Sequence, residues 1–196
     1  GIHPVLIDNM GKAVGMPVGP LAVYDEVSLE LSRKAQETWR TMGVLDKWND
    51  GSVLRGVIDW MVIDNQRGGH HHGGGFYEYS DDGSKAIWPP LFDKYYQSEV
   101  HLAEADIKDR LLFRQVIEAL KCLEGNVLRS EEDGNIGSIM GIGAPVWTGG
   151  LIQFVATYGY GRFVARCEEL AAAYGDRFSP PQIAIDRAQE GQQQAA

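Results

Sequence analysis

Gly15-Met16-Pro17-Val18-Gly19-Pro20-Leu21 returns in altered form as Gly143-Ala144-Pro145-Val146, followed by Gly149-Gly150-Leu151. Each copy stands between an apolar helix-like segment and a second apolar segment. Glycines let two backbones approach and prolines hold φ, so the pattern predicts a tight corner between two helices, used twice. Outward from the first copy, Pro4 suits a first helical position, and Leu6, Met10, Ala13 and Val14 fall on one helical face. Pro20 opens the next helix through Leu21, Tyr24 and Val27. After a break at Ser28, Leu31, Ala35, Trp39 and Met42 form a further stripe, and Val53 to Ile63 another.

Outward from the second copy, a long helix is expected over Ala103 to Glu124, with Ile107, Leu111, Val116, Leu120 and Leu123 inward and Gly125-Asn126 as its stop. Ser130 reads as an N-cap ahead of Glu131, Glu132 and Asp133, whose charge favours a helix N-terminus. Phe163, Cys167, Leu170, Ala171 and Tyr174 mark another helix, ended by Gly175. Strand-like alternation is confined to Phe76-Tyr77-Glu78-Tyr79. The expected fold is mainly α: a first helical repeat over 1–66, a Gly/Pro-rich connection over 67–98, a second repeat over 99–185 and a flexible tail over 186–196. The two repeats are expected to pack with pseudo-two-fold symmetry, corner against corner.

With 196 residues the chain can bury a core without disulfides or metal. Eighteen basic against 27 acidic residues give a net charge of −9, which disfavours a nucleic-acid binder. Two cysteines within helical patterns fit a reduced, cytoplasmic setting, and no apolar run is long enough to span a membrane.

Chemistry-bearing motifs are few. His70-His71-His72 lies on a glycine loop with no thiol or carboxylate at ligand spacing, so no metal site is expected and replacement of these residues should leave folding intact. Gly141-Ile142-Gly143 and Gly159-Tyr160-Gly161 lack the third glycine and the strand–turn–helix setting of a dinucleotide site, so no cofactor-binding residue is assigned. Of the pair Asp25-Glu26, one member is expected to cap or pair and the other to face solvent. His3 and His101 have no evident carboxylate partner, and Cys122 and Cys167 read as small buried hydrophobes. No residue is assigned a catalytic role.

Gly15 through Val27 resembles the C-terminal domain of 3-hydroxyacyl-CoA dehydrogenases, which carries G-x-P-x-G-P-x-x-x-x-D-x-V at this corner. Arg67-x-Gly69-x-x-x-Gly73-x-Gly75-Phe76-Tyr77-x-Tyr79 matches the family's loop, and Ile87-Trp88-Pro89-Pro90-Leu91 its L-W-P-G-L, with Pro90 in place of glycine. Glu124-Gly125 through Asp133, Gly141 through Gly150, and Tyr174 through Pro181 resemble a second repeat, so the likeness covers about residues 4 to 185 in order. Two tandem repeats resemble the α-subunit form of the multifunctional fatty-acid β-oxidation enzyme. His70 and His71 stand where the family is usually basic, and Asp133-Gly134-Asn135 replaces its D-A-D.

The resemblance implies an all-α fold like the C-terminal domain of 6-phosphogluconate dehydrogenase. It also implies NAD-dependent oxidation of a 3-hydroxyacyl-CoA by a full-length enzyme. The family's catalytic His–Glu pair and assisting Asn lie upstream of the position of Gly1, on or near a Rossmann domain, so none is carried over. What the chain is expected to contribute is a wall of the acyl pocket from Met16, Pro17, Val18, Gly19 and Leu21. The implied partners are that upstream domain, the acyl-CoA and, in a homo-oligomer, a second copy; NAD is held by the full-length enzyme and not by this chain. The competing expectation is a helical interaction module that kept the scaffold and lost the reaction.

Overall fold

The computed structural model describes residues 1–44 and 52–194. Among them are ten α-helices and one two-stranded hairpin. The chain divides into two compact units, Gly1–Gly11 with Val18–Leu102, and Lys12–Pro17 with Ala103–Ala196.

The first unit holds most of α1 (Pro4–Val14), then α2 (Pro20–Val27), α3 (Leu29–Thr41), α4 (Ser52–Asp59), β1 (Tyr77–Tyr79), β2 (Lys85–Ile87) and α5 (Pro90–Tyr95). A π-helical turn over Trp60–Asp64 extends α4, and Asn65 Nδ2 ends it by donating to Trp60 O at 2.7 Å. Leu29, Ile58 and Met61 are fully buried beside Ala22, Phe76, Ile87 and Leu91. The stripe expected on α3 is inverted. Leu31, Trp39 and Met42 are exposed, and Leu29 and Gln36 face inward. Ser28 decides this rotation, because its Oγ donates to Gly68 O at 3.0 Å and Glu30 N donates to the same carbonyl at 3.3 Å.

The stretch 67–98 is more than a connection. Its glycines and prolines punctuate a hairpin, in register Tyr77 to Ile87, and the short helix α5. Phe76, Tyr77, Ile87 and Leu91 enter the core of the first unit.

The second unit contains α6 (Glu104–Glu124), α7 (Glu131–Ile142), α8 (Leu151–Tyr158), α9 (Tyr160–Tyr174) and α10 (Gln182–Gln194). Its centre is Phe113, stacked on Phe163 with ring centroids 4.9 Å apart, among Val116, Ile117, Leu120, Ile152 and Val155. Arg166 pins α9 to α6 through Asp106 and Asp109, and Tyr174 O–H donates to Asp106. Ser130 caps α7 as its sequence implies, accepting from Asp133 N at 3.1 Å. Helix α10 occupies most of the region expected to be a flexible tail. Ala184 is buried, and Arg187 bonds Tyr160 Oη and Glu131 at 2.6 Å each, so the Ile183/Ala184/Arg187 face is held down. Ala195 and Ala196, also expected to fray, lie outside the described residues.

Candidate functional site: two capped corners and a glycine loop

The corners repeat in geometry as well as in sequence. In the first, α1 presents Asp8 to the N-terminus of α2, where Leu21 N donates to Oδ1 at 2.7 Å and Ala22 N to Oδ2 at 3.3 Å. In the second, α7 presents Asn135 to the N-terminus of α8, where Ile152 N and Gln153 N donate to Oδ1 at 3.1 and 2.8 Å. Neither α2 nor α8 is capped by its own N-cap side chain, because that residue is glycine, Gly19 or Gly150. A Cβ on Gly19 would fall 2.4 Å from Asp8 Cγ, and one on Gly150 2.4 Å from Asn135 Cβ. The orphan N–H groups of each helix are thus satisfied from the preceding helix, and glycine leaves room for the cap.

The same correspondence continues one helix further. Both α2 and α8 have eight residues and end on a left-handed junction, Ser28 (φ 86, ψ 121) and Gly159 (φ 95, ψ 121). The corners also touch within the second unit. Trp147 Nε1 donates to Val14 O at 2.5 Å, a Cβ on Gly15 would meet Pro145 Cβ at 3.1 Å, and one on Gly143 would meet Pro17 Cγ at 3.3 Å. That pairing is reciprocal, glycine of each corner against proline of the other.

Asp25 has no such counterpart; the aligned position on α8 is Ala156. Its carboxylate is buried and accepts from Phe76 N at 2.7 Å, Tyr77 N at 2.9 Å and Tyr79 Oη at 2.9 Å. Tyr77 Oη donates to Asp8 at 2.6 Å, which links the corner to the loop. Burial pushes the Asp25 carboxyl above its ordinary range, against the opposing pull of these bonds and of the Arg67 charge. Burial also raises both tyrosine hydroxyls, which Asp8 and Asp25 further hold protonated, so the tyrosines are donors here. Glu26, next in sequence, is exposed. The expected division of the pair is therefore seen, Asp25 paired and Glu26 solvent-facing.

Arg67 completes the loop. Nε donates to Gly75 O and Nη2 to Tyr77 O, each at 2.7 Å, and the guanidinium lies 4.5 Å over the Trp88 ring. Gly75 is glycine because a Cβ there would sit 1.9 Å from Asp25 Oδ1. Arg67, Gly75 and Tyr79 of the loop motif therefore act together to hold the hairpin onto α2.

The five residues expected to form an acyl wall divide between the units. Met16 and Pro17 belong to the second, Val18, Gly19 and Leu21 to the first. Met16 and Leu21 are half-buried, Gly19 is buried, and Pro17 and Val18 are exposed. Two cavities lie elsewhere. One, of about 490 Å³ in the second unit, is lined mostly by apolar groups of Ala119, Cys122, Leu128, Gly134, Ile142 and Leu151. The other, of about 360 Å³ in the first unit, is bordered by Arg67, His70, His71, Gly73, Glu78 and Tyr79. Sequence reasoning passed over Asp8; an acid four residues into a helix looks like any solvated charge until its fold partners are known.

Among the described residues no three His, Cys, Asp or Glu side chains gather closely enough to hold a metal ion. His70 stacks on Tyr79 at 3.9 Å and on His71 at 4.5 Å, and its Nδ1 meets Glu26 at 3.3 Å. His71 and His72 are exposed. His71→Ala and His72→Ala are expected to change stability by less than about 0.5 kcal/mol. His70→Ala is expected to cost about 1 kcal/mol through the lost stack, as read from the urea midpoint. His3 packs its ring against Phe92 and Tyr96. Cys167 is buried and its thiol is pushed up to about 12, so it is no thiolate nucleophile.

These corner and loop motifs are matched by a known family over the first part of the chain. Residues 1–79 match 3-hydroxyacyl-CoA dehydrogenase, C-terminal domain. Over those residues the chain is similar to that domain. It is also similar to the fatty acid oxidation complex subunit alpha of Shewanella frigidimarina (strain NCIMB 400), with 30% identity over 197 residues. That alignment takes in 95% of this chain and 26% of the relative, so the chain spans about a quarter of the length of the curated protein. The fold resembles the crystal structure of 3-hydroxybutyryl-CoA dehydrogenase from Escherichia coli K12 substr. MG1655, with a TM-score of 0.65 at 17% identity. It covers 96% of this chain and 55% of that one, and at this identity the likeness speaks to the fold alone. The matched family is one of oxidoreductases. Among the described residues no helix is long and apolar enough to cross a membrane.

Proposed function

We propose that this chain is the helical substrate and dimerisation region of an NAD-dependent 3-hydroxyacyl-CoA dehydrogenase acting in fatty-acid β-oxidation in the cytoplasm. The observation that carries the reading is the domain match over residues 1–79, in which Asp8, Asp25, Arg67 and Tyr79 form one connected network. In this reading an upstream Rossmann domain of the same polypeptide holds NAD and supplies the general base. The chain closes the acyl side of the cleft with Met16, Pro17, Val18, Gly19 and Leu21. Bound to that domain, NAD would supply the hydride acceptor; the residues here would orient the acyl chain and exclude water from it. Acyl-CoA is the substrate partner, and the helical surfaces serve a homo-oligomer.

The test is NADH formation from 3-hydroxybutyryl-CoA and a longer homologue. The 196-residue chain alone is expected to give none, since in this reading the base and the hydride acceptor site belong to the upstream domain. Adding the nucleotide-binding domain in trans is expected to restore turnover. Activity of the chain alone that survives repurification would defeat the proposal.

A further inference from the structure

Arg67 is nine-tenths buried, yet it makes no ion pair among the described residues. Nε and Nη2 are taken by carbonyl oxygens, while Nη1 has no partner there. The Nη1 edge is not sealed from solvent, so it is open to a ligand there, while burial of the rest of the guanidinium pulls its pKa below the usual arginine value against the charges of Glu78 and Asp25. The group borders the cavity of about 360 Å³ together with His70 and His71. That volume has room for a phosphate group and several waters, at roughly 30 Å³ per water. His70 is engaged by Glu26 and Tyr79, whereas His71 makes no hydrogen bond among the described residues.

We propose that the Arg67–His71 cavity of the first unit binds a phosphate group, free or carried as a monoester. Arg67 Nη1 and the His71 ring supply the donors. Arginine favours phosphate here because its planar fork offers directed, charge-assisted hydrogen bonds to a tetrahedral anion. A divalent cation is disfavoured by the same guanidinium. Glu78 borders the cavity too and opposes any anion, which limits affinity and supplies a control with the opposite sign. The site lies wholly within residues 67–79 and does not depend on the dehydrogenase reading.

The experiment is titration of the 196-residue chain with inorganic phosphate and, separately, with adenosine 3′,5′-bisphosphate, followed by calorimetry and ³¹P line broadening. Saturable one-to-one binding is expected, and the bisphosphate binds more tightly if the group arrives as an ester. Arg67→Lys is expected to weaken binding about tenfold, the scale of one charge-assisted bond. Because Arg67 also holds the hairpin, the exposed variants decide the matter if that protein unfolds. His71→Ala should weaken binding roughly threefold and Glu78→Gln should tighten it roughly twofold, as expected for partly solvated charges. Absence of saturable binding by either ligand, or affinities unchanged in both His71→Ala and Glu78→Gln, would overturn the proposal.

Discussion

Asp25→Ala is expected to destabilise the first unit by about 3–5 kcal/mol, since each buried donor stranded by the change costs about 1–3 kcal/mol. Three donors lose their acceptor at once: Phe76 N, Tyr77 N and Tyr79 Oη. The bonds from Phe76 N and Tyr77 N are buried, whereas Tyr79 is half-buried, so the two backbone donors carry most of the cost. Asp25→Asn retains one oxygen and turns an amide N–H₂ toward the donors, so it should fall in between, at about 2–3 kcal/mol. Tyr79→Phe removes a single bond and should cost about 1 kcal/mol. The measurement is amide exchange at Phe76 and Tyr77 alongside urea unfolding followed by the Trp60–Trp88 pair, which reports on the first unit. A cost for Asp25→Ala no larger than that for Tyr79→Phe would show that the carboxylate does not carry the loop.

The second large effect separates steric room from backbone strain. Gly19 has φ −66, which any residue adopts, so Gly19→Ala tests only the space kept for Asp8. Gly150 has φ 116, and its added Cβ would also strike Asn135. Overpacking costs about 1–3 kcal/mol and a strained φ about 1–3 kcal/mol more, so Gly150→Ala should exceed Gly19→Ala by at least about 1 kcal/mol. In each variant the cap is forced off its helix, and the exchange protection lost should be that of Leu21 and Ala22 in one case and of Ile152 and Gln153 in the other. Equal costs for the two substitutions would mean that the left-handed junction is not a constraint of its own.

The helices, the two corners and the cap at Ser130 were legible because they rest on local rules. Prolines and glycines punctuate, apolar residues recur at helical spacing, and a hydroxyl before three acids marks an N-terminus. The orientation of α3 was not legible. Leu31, Trp39 and Met42 make the better apolar stripe, but Ser28 and Gly68 turn Leu29 inward, and that contact spans 40 residues. Residues 67–98 looked like linker by composition, since glycine content does not reveal that Gly75 makes room for Asp25. Helix α10 was hidden by its polar end, because Arg187 finds its partners on α7 and α9.

For the site the division is the same. By itself the sequence determined the family likeness, through motifs that resemble the family's, and the helical class and the absence of a dinucleotide fingerprint from these 196 residues, which follow from spacing along the chain. Only the tertiary structure decided that Asp8 and Asn135 do the same work in the two corners, that Asp25 rather than Glu26 is buried, and that Arg67 keeps one N–H edge free beside a cavity. Those facts depend on which groups a distant segment brings within hydrogen-bond reach. A buried charge and a solvated one are spelled alike, and desolvation is set by the neighbours the fold supplies.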